Sequence, residues 1–160
     1  MDQNRAVIDK FYQAFQQRDW KIMQACYHPE VTFSDPAFPD LNYQEVKAMW
    51  HMLCENAQDF SLEYSDIRQT GNKATCRWEA RYTFSRSGRK VHNLIQAQVE
   101  FKDGLIARHH DVFNFWRWSQ MALGFSGLLL GWSSFLKRKV QSMARKSLLK
   151  FMSEHPQYLI

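Results

Sequence analysis

Apolar residues recur every three or four positions from Gln3 to Ala57 and every second position from Phe60 to Phe115, so the chain reads as helices followed by strands. Val7, Ile8, Phe11, Ala14 and Phe15 make one side of a helix over Gln3 to Gln17. Asp19 caps a short second helix through Cys26, which Pro29 ends. Val31 to Ser34 reads as a brief strand running into a Pro-bounded loop, Asp35 to Asp40. Asn42 and Glu45 have capping-box spacing before a helix bearing Val46, Met49, Trp50, Leu53 and Ala57.

The period then changes to two. Phe60, Leu62 and Tyr64 open one strand, turned by Thr70-Gly71-Asn72. Ala74, Cys76, Trp78, Ala80, Tyr82 and Phe84 share a face of the next strand, and Val91, Asn93, Ile95, Ala97, Val99 and Phe101 share a face of the one after it. Lys102-Asp103-Gly104 fits a three-residue hairpin loop that pairs Phe101 with Leu105. That register sets Ala97 opposite His109, Ile95 opposite Asp111, Trp78 beside Ala97 and Ala80 beside Ile95. The final strand, Leu105 to Trp116, then shows Leu105, Ala107, His109, Asp111, Phe113 and Phe115 on one side. The order predicts an α+β fold: a curved antiparallel sheet covered by N-terminal helices, occupying residues 1–118.

Residues 119–160 differ in pattern. Met121 to Trp132 is apolar but broken by glycine, and shorter than the roughly 20 residues of a membrane span. Ser133 or Ser134 caps a last amphipathic helix carrying Leu136, Val140, Met143, Ser147 and Phe151. This extension is expected to pack on its own domain or on a dimer partner. A basic amphipathic helix also suits contact with a membrane surface.

Charge sharpens that division. Up to Trp118 the 15 Lys and Arg cancel the 15 Asp and Glu, while beyond it Lys137, Arg138, Lys139, Arg145, Lys146 and Lys150 face Glu154 alone. The excess of +5 therefore belongs to the tail, and the neutral body argues against nucleic-acid binding. Cys26, Cys54 and Cys76 lack metal-type pairing and lie at apolar-periodic positions, as buried thiols of a cytoplasmic protein would. With 12 Phe, 6 Trp and 6 Tyr the chain has the aromatics either to fill a core or to line an apolar cavity.

The candidate chemistry sits where polar residues interrupt apolar faces. His109 and Asp111 project together from the last strand, ~6.6 Å apart along it. A carboxylate and an imidazole among apolar neighbours either satisfy each other or serve a pocket, Asp111 as general base and His109 as its partner. Asn93 breaks the preceding face and would lie near Tyr82 and Phe113. Asp35, before Pro36, is either a turn residue or a second carboxylate for the site. In a strand His110 points away from His109 and Asp111, and His28 and His51 read as helix-end and surface residues, so no metal site and no cofactor are expected.

Two segments carry a family resemblance. Cys26-Tyr-His-Pro-Glu-Val-Thr-Phe-Ser-Asp35-Pro36 resembles a segment of the nuclear-transport-factor-2-like superfamily. Phe101-Lys-Asp-Gly-Leu-Ile-Ala-Arg-His109-His-Asp111 resembles the sheet-ending motif of SnoaL-like polyketide cyclases. The resemblance implies a cone-shaped α+β fold with a deep pocket, and a homodimer. It sets Asp35 at the general-base position of ketosteroid isomerases and Asp111 and His109 at the cyclase positions. At the isomerase oxyanion donors it finds Phe11, with Tyr12 one step off, and Ala97, so steroid isomerisation is not expected. Arg108 and His110 also replace the glutamate and tryptophan of the cyclase pattern. The expectation is a pocket for a small apolar molecule, lined by Phe15, Trp50, Trp78, Tyr82, Asn93, Ala97, Phe113 and Tyr12. It would serve a cyclase, isomerase or hydrolase, or alternatively a non-catalytic binding or assembly module.

Overall fold

The computed structural model describes residues 2–160. Helices α1 (Gln3–Gln16), α2 (Trp20–Ala25) and α3 (Tyr43–Asn56) alternate with the first strand, β1 (Tyr27–Ser34). Strands β2 (Ser61–Thr70), β3 (Lys73–Phe84), β4 (Arg89–Lys102) and β5 (Leu105–Val112) follow. Helices α4 (Phe115–Leu123), α5 (Phe125–Leu130) and α6 (Ser134–Glu154) and a 3-10 turn, Pro156–Tyr158, complete the chain. Most helix starts have a local cause. Asp19, Asn114 and Ser133 accept the backbone N–H three residues on, and Asn42 with Glu45 forms the full capping box.

The five strands form one open sheet in the order β1-β5-β4-β3-β2. Four make the expected antiparallel meander. The fifth, β1, joins the edge parallel to β5, so the sheet is mixed. It begins at Tyr27, and Pro29, expected to end a helix, lies within it. An edge strand tolerates a proline because one of its sides needs no ladder bond.

The β4–β5 register departs from the expected one by two residues. Asp103 and Gly104 both have positive φ (52° and 73°), giving a two-residue turn that pairs Lys102 with Leu105. That turn alone would set odd positions against even. A bulge at Ala107, between the Phe101–Ile106 and Glu100–Arg108 pairs, restores the parity, so Ala97 faces Asp111 and Val99 faces His109. In consequence Ile106, not Leu105, points into the core. On the other side of β4, Trp78 pairs with Ile95, Cys76 with Ala97 and Ala80 with Asn93. Phe113 and Phe115 leave the strand, because Asn114 caps α4 there.

The main core lies between the concave sheet face and α1 and α3. A smaller cluster of Val91, Phe115, Trp118 and Ala122 closes the far end. Helix α4 runs across residue 118, so the tail begins as part of this end. The tail then folds back on its own chain. Leu136, Leu148 and Met152 of α6 are buried, Arg145 pairs with Glu45 of α3, and Gln141 Nε2 donates to the Pro36 carbonyl at 3.0 Å. Gly127 and Gly131 make this return possible, since a Cβ at either would overlap Ser119. Among the described residues no helix is long and apolar enough to cross a membrane.

Candidate active site

A cavity of about 230 Å³ opens between the end of α3, the start of β2 and the end of β3. At about 30 Å³ per water it holds the equivalent of roughly eight waters, the scale of a small ring system. Its walls are largely apolar: Phe15 of α1, Trp50, Leu53 and Cys54 of α3, Phe60, Trp78, Ala80, Ile95, Phe113 and Trp118. Polar side chains from four parts of the fold also line it, among them Asp35, Tyr82, Asn93 and Asp111. Each strand supplies them through its period of two, and the loop after β1 supplies Asp35.

Asp111 is 2% exposed and is held by two donors. His109 Nε2 lies 3.0 Å from Oδ1, and Trp78 Nε1 donates to the same oxygen at 3.5 Å. Behind it the chain of bonds continues into the core. Trp50 Nε1 donates to the Tyr27 hydroxyl at 2.8 Å, and that hydroxyl lies 2.7 Å from His109 Nδ1. This pattern assigns the tautomer. Because the Asp111 carboxylate only accepts, a neutral His109 carries its proton on Nε2, and its Nδ1 then accepts the proton of the Tyr27 hydroxyl. The order Trp50, Tyr27, His109, Asp111 fixes one carboxylate oxygen and leaves Oδ2 for a ligand.

Asp35 is tied differently. Its Oδ1 accepts the backbone N–H groups of Ala37 and Phe38 at 2.7 and 2.6 Å, the self-capped turn that Asp-Pro favours. Asp35 is half-buried at the cavity, and its desolvation raises its pKa to about 7. The negative charge of Asp111 pushes it the same way, against the two N–H bonds. Trp118 Nε1 donates to Tyr82 at 2.9 Å, which leaves the Tyr82 proton free to be directed into the cavity.

Of the residues singled out in the sequence, Asp35, Asn93, Phe15, Trp50, Trp78, Tyr82, Phe113 and Asp111 line the cavity together. Three do not. His109, 1% exposed, stands behind Asp111, and Ala97 faces Asp111 across the sheet within the core. Tyr12 stacks on Tyr64 with a buried hydroxyl that has no protein partner, and burial drives its pKa well above 10. His51 is no surface residue: at 4% exposure it is buried against Trp20. Sequence reasoning missed Tyr27, although it stands in the segment that carried the resemblance, and Trp118. The latter was signalled only by the Asn114 cap, which turns Trp118 inward.

A SnoaL-like domain model matches residues 8–109, well over half of the chain. The chain belongs to the SnoaL-like domain family. The match takes in Asp35, Asn93 and His109 and stops two residues before Asp111. A comparison with curated proteins found no match. Solved structures resemble this SnoaL-like protein in fold. An NTF2-like protein of unknown function from Burkholderia pseudomallei is 20% identical, with a TM-score of 0.63 over 71% of this chain and 92% of that one. An epoxide hydrolase of Mycobacterium tuberculosis, likened to the LEH type, is 16% identical, with a TM-score of 0.63 over 84% and 95%. IdmH of Streptomyces antibioticus, a candidate polyketide cyclase, is 20% identical, with a TM-score of 0.62 over 81% and 100%. At these identities the likeness concerns the fold, which in these neighbours carries hydrolase and candidate cyclase sites alike.

Proposed function

We propose that this SnoaL-like protein is an acid–base enzyme acting without a cofactor on a small apolar molecule. One observation carries the reading: two carboxyl groups in unlike environments converge on a single apolar cavity. Such a separation assigns the two halves of a proton transfer. Asp111, held by His109 and Trp78, is the base. Asp35, whose proton is retained close to neutral pH, is the acid. In a hydrolysis Asp111 takes a proton from water as its oxygen attacks carbon, and Asp35 protonates the departing oxygen. In an isomerisation or cyclisation Asp111 takes a proton from carbon and Asp35 delivers one elsewhere on the molecule. Solvent protons reset both carboxyls. Hydrolysis of a small epoxide is the form favoured by the tuberculosis neighbour, and ring closure by IdmH.

The test is turnover of small cyclic epoxides and acidic C–H ketones, with product followed by mass spectrometry in heavy-isotope water. Asp111→Asn keeps an oxygen for the His109 and Trp78 bonds, so its unfolding temperature and ligand affinity should stay near wild type. Its kcat should fall by about 10²–10⁴. An Asp111→Asn protein that turns over at the wild-type rate refutes the mechanism.

A second reading rests on a separate surface. Phe125, Trp132 and Phe135 are 74%, 72% and 62% exposed, with Leu128 and Leu129 about half exposed between them. From Val112 to Ser153 there is no acidic residue, and Lys137, Arg138 and Lys139 adjoin the apolar tip. We infer that this tip seats on an anionic lipid surface. Apolar side chains enter the headgroup boundary there while the lysines and arginine meet lipid phosphates. Self-association through the same tip would bring two basic segments together, so a homodimer is the weaker occupant.

A further inference from the structure

Away from the cavity, His51, Glu55 and His155 bring three ligand atoms within 4.8 Å of one another, the one such cluster among the described residues. His51 and Glu55 stand four residues apart on α3 and share a face. His155 caps the C-terminal end of α6, which packs on α3. None of the three lines the cavity.

The two imidazoles are already held as metal-ligating histidines are. Each has its Nδ1 engaged by a neighbouring group, which leaves Nε2 as the nitrogen available to an ion. The Phe151 carbonyl lies 2.7 Å from His155 Nδ1. A carbonyl only accepts, so His155 carries its proton on Nδ1 and keeps the Nε2 lone pair. His51 Nδ1 lies 2.8 Å from the Tyr158 hydroxyl, and its Nε2 lies 2.7 Å from Glu55 Oε1. Aromatic neighbours fix both rings. His51 stacks on Trp20 with centroids 3.6 Å apart, His155 on Phe151 at 3.9 Å, and the imidazoles meet at 72°. His51 is buried, Glu55 exposed and His155 between the two, so one side of the cluster faces solvent.

We propose that His51 Nε2, a Glu55 carboxylate oxygen and His155 Nε2 bind one divalent first-row transition ion, zinc in the first instance, with water in the fourth position. Two imidazoles and a carboxylate suit such an ion and give calcium or magnesium too few oxygens. Bonds of about 2.0–2.2 Å in tetrahedral array separate ligand atoms by roughly 3.5 Å. Reaching that spacing requires shifts of about an ångström in side chains at two helix ends. Binding moves the His51 proton from Nε2 to Nδ1. Tyr158, which already accepts from Gln24 at 2.9 Å, then accepts from His51 as well, since a hydroxyl oxygen takes two bonds. No net proton leaves the imidazole. The ion ties the end of α6 to α3, the helix whose Trp50 starts the chain of bonds to Asp111. It is a clamp on the tail rather than a second reaction centre, and it uses none of the carboxyl pair.

Full-length protein freed of metal with a chelator, then titrated with zinc or cobalt ions, tests this. Calorimetry should show one ion per chain, unfolding should move to higher temperature, and cobalt should give a visible absorption that zinc abolishes. His155→Ala and Glu55→Gln, both at accessible positions, should each weaken binding at least about tenfold. His28→Ala, which removes a histidine near Glu30 and Asp103, should leave it unchanged. Absence of saturable binding overturns the proposal. So does binding that survives both His155→Ala and Glu55→Gln, or that is lost in His28→Ala.

Discussion

Tyr27→Phe removes one oxygen from the centre of the buried chain of bonds and tests the whole arrangement. Trp50, Tyr27 and His109 are 3%, 2% and 1% exposed, so water does not replace what is lost. Without the hydroxyl, the Trp50 indole N–H has no acceptor and His109 Nδ1 no donor. Each stranded buried group costs about 1–3 kcal/mol. Their sum, about 2–6 kcal/mol, is a large share of the roughly 5–15 kcal/mol of a typical domain. His109 cannot escape by moving its proton to Nδ1, because it would then cease to donate to Asp111. The phenyl ring still packs edge-on against Phe11, whose centroid lies 5.6 Å away, so packing contributes little to the loss. Urea denaturation measures it as a lower midpoint at unchanged slope. Trp50→Phe supplies the control: with the indole already gone, Tyr27→Phe should cost at least about 1 kcal/mol less than in the wild type. A loss below about 0.5 kcal/mol, or an equal loss in both backgrounds, refutes the bonding order.

Two further outcomes follow from the site and the tail. Asp35 keeps its proton up to about pH 7 in the fold, while the unfolded chain releases it near 3.8, so the native state binds more protons in between. Stability contributed by this group therefore falls as pH rises through that window, and Asp35→Asn should remove the fall while keeping the acceptor for Ala37 and Phe38. Urea midpoints from acid to neutral pH read it, and parallel curves for the two proteins refute it. At the tip of the tail, wild-type protein should sediment with vesicles containing phosphatidylglycerol and not with phosphatidylcholine alone, and Trp132→Ala with Phe135→Ala should abolish this. A dimer in vesicle-free solution that the same pair of substitutions dissolves would assign the tip to self-association instead.

The sequence by itself determined which residues face inward along most of the elements, though not at the start of β5, where Ile106 takes the place expected of Leu105. Asn42 with Glu45, Asp19 and Ser133 mark helix starts because capping is local, and the alternation from Ala74 to Phe84 marks a half-buried strand because side chains alternate about one backbone. The same periodicity made Asp111, His109 and Asn93 visible as polar breaks in apolar faces. Only the tertiary structure decided what those breaks meet. The β4–β5 register depended on a turn and a bulge whose parities cancel, and periodicity reads parity alone, so Asp111 came to face Ala97 rather than Ile95. Tyr27 entered the site because β1 returns parallel to β5, a pairing between residues far apart in the chain. His51, polar and near a helix end, looked like a surface residue until α6 folded over it. Local chemistry fixes the direction of a side chain, but its partner is set by contacts between distant segments, which no single stretch of sequence contains.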